Sequence, residues 1–161
     1  MEVALRFLGS RPRTRSELDR RLRRAGAEGA VVEATLERLV AMGHLDDVAF
    51  ARWWTEQRDR HAPRGRRMLE AELRQRGVPR EVIQAHREAG VGERAPEDEG
   101  LPENDEERAR VALERHLRGR PMPTDRPALQ RLGMYLVSRG FDSETARATI
   151  RSVATGESDE A

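Results

Sequence analysis

The chain has 161 residues, with 30 basic and 29 acidic side chains, a net charge of +1 and no cysteine. Disulfide frameworks, thiolate metal sites and thiol catalysis are excluded, and no apolar run approaches the ~20 residues that span a bilayer. The start, Met1-Glu2-Val3-Ala4-Leu5-Arg6, places charge where a secretory segment needs an apolar stretch, so the expected compartment is the cytoplasm.

Taken in chain order, the pattern is helical throughout. Alternating apolar runs of the β type are missing, and apolar residues recur at helical spacing. Thr14-Arg15-Ser16-Glu17 fits a capping box, a hydroxyl followed three residues later by a carboxylate. Asp46 or Asp47 caps the segment through Phe50, Trp53 and Trp54, with one indole expected in the core. Pro79 and Glu81 suit a first turn. Asn104 before Glu107, Asp125 before Pro127, and Asp142 before Glu144 mark three further starts. Gly26, Gly43, Gly77 and Gly140 each follow an apolar-periodic stretch and read as helix stops. Helices are predicted near 2–9, 15–25, 29–42, 47–60, 64–76, 79–89, 105–118, 126–139 and 143–154.

These nine helices fall into a repeat. Leu18, Leu22 and Gly26 are spaced by four, as are Leu69, Leu73 and Gly77, and Leu132, Leu136 and Gly140. Beyond each glycine, small or apolar residues recur at Val31-Val32, Val82-Ile83 and Thr145-Ala146, with Ala34, Ala85 and Ala148 two residues further on. The expected fold is all-α, an elongated array of three tandem three-helix repeats. They occupy 1–45, 46–90 and 105–154, with an acidic flexible linker at 91–104 and an acidic tail at 155–161. Short helices are marginal alone, so stacking must bury their apolar faces. A stacked array offers an extended surface rather than a deep substrate pocket.

The near-zero charge hides segregation. Residues 1–89 carry +5, residues 90–107 carry −7, residues 108–153 carry +6, and the tail from 154 carries −3. Every basic residue is arginine, whose planar fork suits carboxylate and phosphate. Each repeat places an Arg- and Pro-rich loop between its first and second helices. These loops are Arg11-Pro12-Arg13-Thr14-Arg15, then Arg60 through Arg67, then Arg118 through Arg126. Regular stacking would set them along one edge, a positive stripe for a phosphate backbone or an acidic groove. No aromatic is interleaved with them, so base stacking is not indicated.

Catalytic signals are weak. His44, His61, His86 and His116 lack ligand spacing, and Ser10, Ser16 and Ser138 lack a nucleophile-elbow context. No enzyme activity, cofactor or metal is expected. Asp46 and Asp47 beside His44 read as helix caps rather than metal ligands.

The stretch Leu45-Asp46-Asp47-Val48-Ala49-Phe50-Ala51-Arg52-Trp53-Trp54-Thr55-Glu56-Gln57-Arg58 resembles the signature of the RecX family, bacterial regulators of the RecA recombinase. Gly65 through Val78 fits the same pattern, as does Arg15-Ser16-Glu17-Leu18 with Leu22 and Gly26. The resemblance implies three tandem three-helix repeats and a monomer bound in the groove of the RecA–DNA filament. It also implies an inhibitor that alters the filament's ATPase, strand exchange and co-protease functions. Arg64, Arg66 and Arg67 are the first candidates for partner or DNA contact, then Arg11, Arg13 and Arg15. Arg58, at a family position, and Arg120 and Arg126 of the third loop complete the set. Asp46, Asp47, Phe50 and Trp53 are assigned to capping and core. Single- or double-stranded DNA is a second expected contact. The alternative is an Arg-rich DNA-binding module without a recombinase partner.

Overall fold

Side-chain caps set most of the helix starts. In the computed structural model, which describes residues 1–9, 11–90 and 100–156, the elements are α1 (Glu2–Leu8), α2 (Arg15–Arg24), α3 (Gly29–Ala41), α4 (Asp47–His61), α5 (Arg66–Gln75), α6 (Arg80–Ala89), α7 (Asp105–Leu117), α8 (Arg126–Ser138) and α9 (Ser143–Thr155). Among the described residues there is no strand. The expected boundaries hold to within two residues. The stretch 91–99 of the acidic linker, the tail from 157, and Ser10 lie outside the described residues.

The Thr14–Glu17 capping box forms in full, with both reciprocal bonds. Asn104 accepts from the Glu107 N–H at 2.9 Å, Asp125 from Ala128 at 2.9 Å, and Asp142 from Glu144 and Thr145 at 2.9 Å each. Those backbone bonds, Thr145 first, hold the Asp142 carboxyl below its ordinary value. Asp46, not Asp47, caps α4, accepting from Val48 and Ala49 at 2.8 and 3.1 Å. Asp47 has a different task, described below.

The chain divides into two compact units. Unit one is Met1–Trp54 with Glu72–Ala89, and unit two is Thr55–Ala71 with Gly90–Ala161. The dividing line passes through α4 and α5. In unit one, α2 packs against α1 and α3. There Ala4, Leu18, Leu22, Val32, Leu36, Leu39 and Leu45 form one cluster. A second cluster joins Phe50, Ala51 and Trp54 of α4 with Leu73, Val78 and Ile83. Phe50 stacks on Trp54 at 6.1 Å, and Trp53 stays half-exposed. In unit two, α7, α8 and α9 pack mutually around Ala109, Ala112, Leu113, Leu132, Leu136, Phe141 and Ala146. Burial of each large side chain contributes about 1.5–3 kcal/mol.

The repeat has a physical meaning position by position. Both leucines before each glycine are buried in all three repeats. Six residues after it, Val32, Ile83 and Ala146 are buried too. The alanines two further on are not: Ala34 and Ala85 are exposed and Ala148 is half-buried. They keep the outer helix face small rather than filling the core.

Candidate functional site

Arginine is the residue type to follow, and its partners sort the candidates. Arg11, Arg13 and Arg15 belong to unit one and are engaged there. Arg11 donates to Glu17 at 3.3 Å. Arg13 donates to the Phe7 carbonyl at 3.4 Å and lies 4.2 Å over the Phe7 ring. Burial, with Arg11 nearby, holds the Arg13 guanidinium below its ordinary value. Arg15 pairs with Glu33. The same Glu17 accepts from Arg76 at 2.7 Å, and Arg76 lies 4.0 Å over the Trp54 ring. Burial pushes the Glu17 carboxyl up, but the bonds from Arg76 and Arg11 outweigh it and leave its pKa lowered. The first arginine loop is therefore woven into the packing of its own unit.

Unit two is different. Arg64 is half-buried, its Nη1 on the Met68 sulfur at 3.3 Å, and Arg58 is half-buried on α4. Arg66 and Arg67, in the first turn of α5, are exposed, and neither guanidinium makes an ion pair among the described residues. Arg126 is exposed at the first residue of α8. It stands at the rim of an open groove of about 1320 Å³ between α8 and α9, beside Leu129, Met134, Val137 and Ile150.

The structure brings part of the second arginine loop onto part of the third. His61, Ala62 and Pro63 from the former and Arg118 and Arg120 from the latter line one cavity of about 580 Å³, with Arg115, His116, Tyr135 and Arg139. Arg120 donates to the carbonyls of Leu117 at 3.0 Å and His116 at 3.2 Å. Arg115 donates to the Arg60 carbonyl at 3.0 Å. His116 stacks on Tyr135 at 3.9 Å, and Arg139 lies 5.2 Å from the same ring. No carboxylate lines the cavity. Sequence reasoning named Arg120 but missed Arg115, His116, Tyr135 and Arg139. The missing link was that α4, α7 and α8 end together, which no local spacing reveals.

Positioning of these loops depends on joints between successive repeats. At the first, Asp47 accepts from the backbone N–H of Arg15 at 2.9 Å, so the first residue of α4 caps α2. Burial is the main reason its carboxyl pKa is raised. At the second, the first residue of α7, Asp105, accepts from the N–H of Arg66 at 2.9 Å and caps α5. That borrowed cap explains why α5 begins at Arg66 rather than at 64. Beneath it Arg108 makes a two-pronged bond to the fully buried Asp59, at 2.8 and 3.1 Å. Burial alone would lower the Arg108 pKa, but the bonds to Asp59 raise it. Among the described residues no group of His, Asp or Glu is arranged to hold a metal ion. None of the described helices is long and apolar enough to cross a membrane.

Fold and site together define an arginine-rich helical-repeat protein with exposed basic groups on its loops and helices. Residues 1–39 match the family model for the first three-helix domain of RecX, and residues 46–86 match the model for its second three-helix domain. The chain belongs to the RecX family. It is 38% identical over 152 residues to the Regulatory protein RecX of Thermobifida fusca, covering 92% of this chain and 75% of that one. It is 34% identical over 159 residues to the Regulatory protein RecX of Chlorobaculum tepidum, covering 98% and 90%. A crystal structure of RecX from Lactobacillus salivarius matches with a TM-score of 0.75 at 15% identity, over 96% of this chain and 94% of that one, which is a likeness of fold.

Proposed function

We propose that this protein is a regulator, in net effect an inhibitor, of a RecA recombinase. It binds as a monomer in the groove of the RecA–DNA filament in the cytoplasm and modulates ATPase, strand exchange and co-protease activity without chemistry of its own. The observation that carries this reading is the match to Regulatory proteins named RecX over nearly the whole chain. The site supports it, because exposed Arg66 and Arg67 have no ion pair among the described residues to give up on binding. We take the repeats at 1–45, 46–90 and 105–154 as the recognition modules, each with its own arginine loop as a basic element. Arg66, Arg67, Arg120 and Arg126 are the leading contacts. Arg11, Arg13, Arg15, Arg58 and Arg64 act mainly by holding their loops in shape.

ATP hydrolysis by preformed filaments on single-stranded DNA tests the proposal. Inhibition is expected well below one molecule per recombinase subunit. Arg66→Ala/Arg67→Ala, with unchanged helicity, is expected to lose potency by roughly tenfold, the scale of lost charge-assisted contacts. An effect that begins only when the protein coats free DNA, and that fades steeply with salt, would instead identify a DNA-binding module.

A further inference from the structure

The cavity of unit two has a charge balance that its structural duties do not explain. Three helices end beside it: α4 at His61, α7 before Arg118, and α8 before Arg139. Each carboxyl end carries roughly half a negative charge, so arginines are expected there simply to neutralise the helix ends. Arg120 and Arg115 do this, donating to end carbonyls of α7 and α4. Three helix ends amount to about 1.5 negative charges, against four guanidiniums and no carboxylate in the lining. Roughly two and a half positive charges are left over. Two of those charges reside on Arg118 and Arg139, whose guanidiniums have no hydrogen-bond or carboxylate partner among the described residues. Arg118 is held in the left-handed region, φ 51°, as the cap of α7, with its N–H on the Glu114 carbonyl.

We propose that this cavity, built by Arg115, Arg118, Arg120 and Arg139 around His116 and Tyr135, is a binding site for a phosphate group. Its source is either the polyphosphate chain of a free nucleotide or the backbone of a nucleic acid strand. A single carboxylate cannot neutralise such a surplus, whereas a polyphosphate chain, or successive phosphodiesters of a strand, brings several charges on oxygens that guanidinium forks can bracket from different sides. The cavity volume of about 580 Å³ exceeds the needs of a bare ion and falls in the usual range for small-molecule sites, ~300–1,000 Å³. Pro63, Ala112 and the stacked Tyr135–His116 pair give it the apolar wall that a ribose or base requires. The site stands whether or not a recombinase is the partner.

Titration calorimetry of the full chain at low salt tests this with three probes: sodium tripolyphosphate, ATP, and a short single strand lacking terminal phosphates. Arg118→Ala/Arg139→Ala is compared with Arg147→Ala/Arg151→Ala, which removes the same charge from α9 outside the cavity. The cavity variant is expected to weaken tripolyphosphate binding by at least roughly tenfold, and the α9 variant by less than about twofold, the level of screened long-range attraction. Arg118→Asn, whose side chain tolerates the left-handed cap, should show the loss in part even if the double variant folds poorly. The His116 ring resonances should shift on saturation. ATP that the strand does not displace identifies a nucleotide. A strand that displaces tripolyphosphate, and is itself weakened by the cavity variant, identifies nucleic acid. Equal losses in both double variants, or no saturable binding of any probe, overturn the site.

Discussion

In unit one the first residue of α4, Asp47, caps the N–H of Arg15, and in unit two the first residue of α7, Asp105, caps that of Arg66. Next to each cap, the carbonyl closing the following repeat's second helix is met by the residue just before the capped helix. Arg76 O accepts from the Thr14 hydroxyl at 2.7 Å, and Arg139 O accepts from the Gly65 N–H at 3.0 Å. The stop glycine after that carbonyl then packs on the helix start, Gly77 on Ser16 and Gly140 on Met68. So the cap and the carbonyl contact are built twice in the same register, and the glycine contact is shifted by one residue. The chemistry of the two joints differs. Unit one uses side chains that solvent reaches: Glu17 with Arg11 and Arg76, and Arg76 over Trp54. Unit two uses backbone against backbone at Gly65 and Gly140, with a buried ion pair below. The first joint thus rests on charges within reach of solvent, and the second on close backbone contact above a buried ion pair.

The largest difference is expected from Arg108→Ala. Arg108 is 9% exposed and Asp59 is 0% exposed, so truncation leaves a carboxylate buried without its principal counter-charge. Loss of about 3–5 kcal/mol is expected, read by urea unfolding. Replacing both partners, as Arg108→Met/Asp59→Leu, should recover most of that loss, since the desolvation cost is removed along with the attraction. If Arg108→Ala cost no more than the removal of an exposed pair, the second joint would not depend on its buried charges.

A smaller loss is expected at Gly65. A Cβ there would lie 2.4 Å from the backbone of Gly140 and Phe141, atoms that cannot swing aside as a side chain can. Gly65→Ala should cost about 1–3 kcal/mol as overpacking, and Gly65→Thr more, although threonine is what unit one carries at the matching position, Thr14. Stability gained by Gly65→Thr would show that the two joints are interchangeable. Hydrogen exchange should place the damage in α7, α8 and α9 first.

Local chemistry was legible from the chain; convergence of distant segments was not. The Thr14–Glu17 box and the Asn104, Asp125 and Asp142 caps span two to three residues, so their partners are visible in sequence. The Leu-Leu-Gly spacing found the core for the same reason. Asp59 and Arg108 are 49 residues apart and meet only because the repeats stack. Asp47 shows the limit well: its position beside Asp46 suggested a cap for its own helix, but it caps a helix of the preceding repeat. The arginine loops were found as sequence features. Whether an arginine is engaged, as Arg11 and Arg13 are, or exposed, as Arg66 is, depends on tertiary neighbours.

The smallest effect, and the one that sharpens the contrast best, lies in the acid stability of unit one. Glu17 has a pKa below the ordinary glutamate value because Arg76 and Arg11 outweigh its burial. A lowered carboxylate pKa stabilises the fold above the unfolded-chain value, about 4.3, and the contribution disappears as pH falls through the lower folded value. Glu17→Gln should therefore cost about 1 kcal/mol near neutral pH, as for ion pairs within reach of solvent, and nothing in strong acid. Asp47 has the opposite sign. Its pKa is raised, chiefly by burial, so its contribution is fully present below the unfolded aspartate value, about 3.9, and is lost as pH rises through the folded value. Asp47→Asn keeps an oxygen to accept the Arg15 N–H and discards the buried charge. It should match or exceed the parent in stability at neutral pH and lose any advantage in acid. Melting curves of the two variants against the parent, from neutral to strongly acidic pH, should thus move in opposite directions. Curves that run parallel would mean that the first joint is held by packing alone and that its ionic network only decorates it.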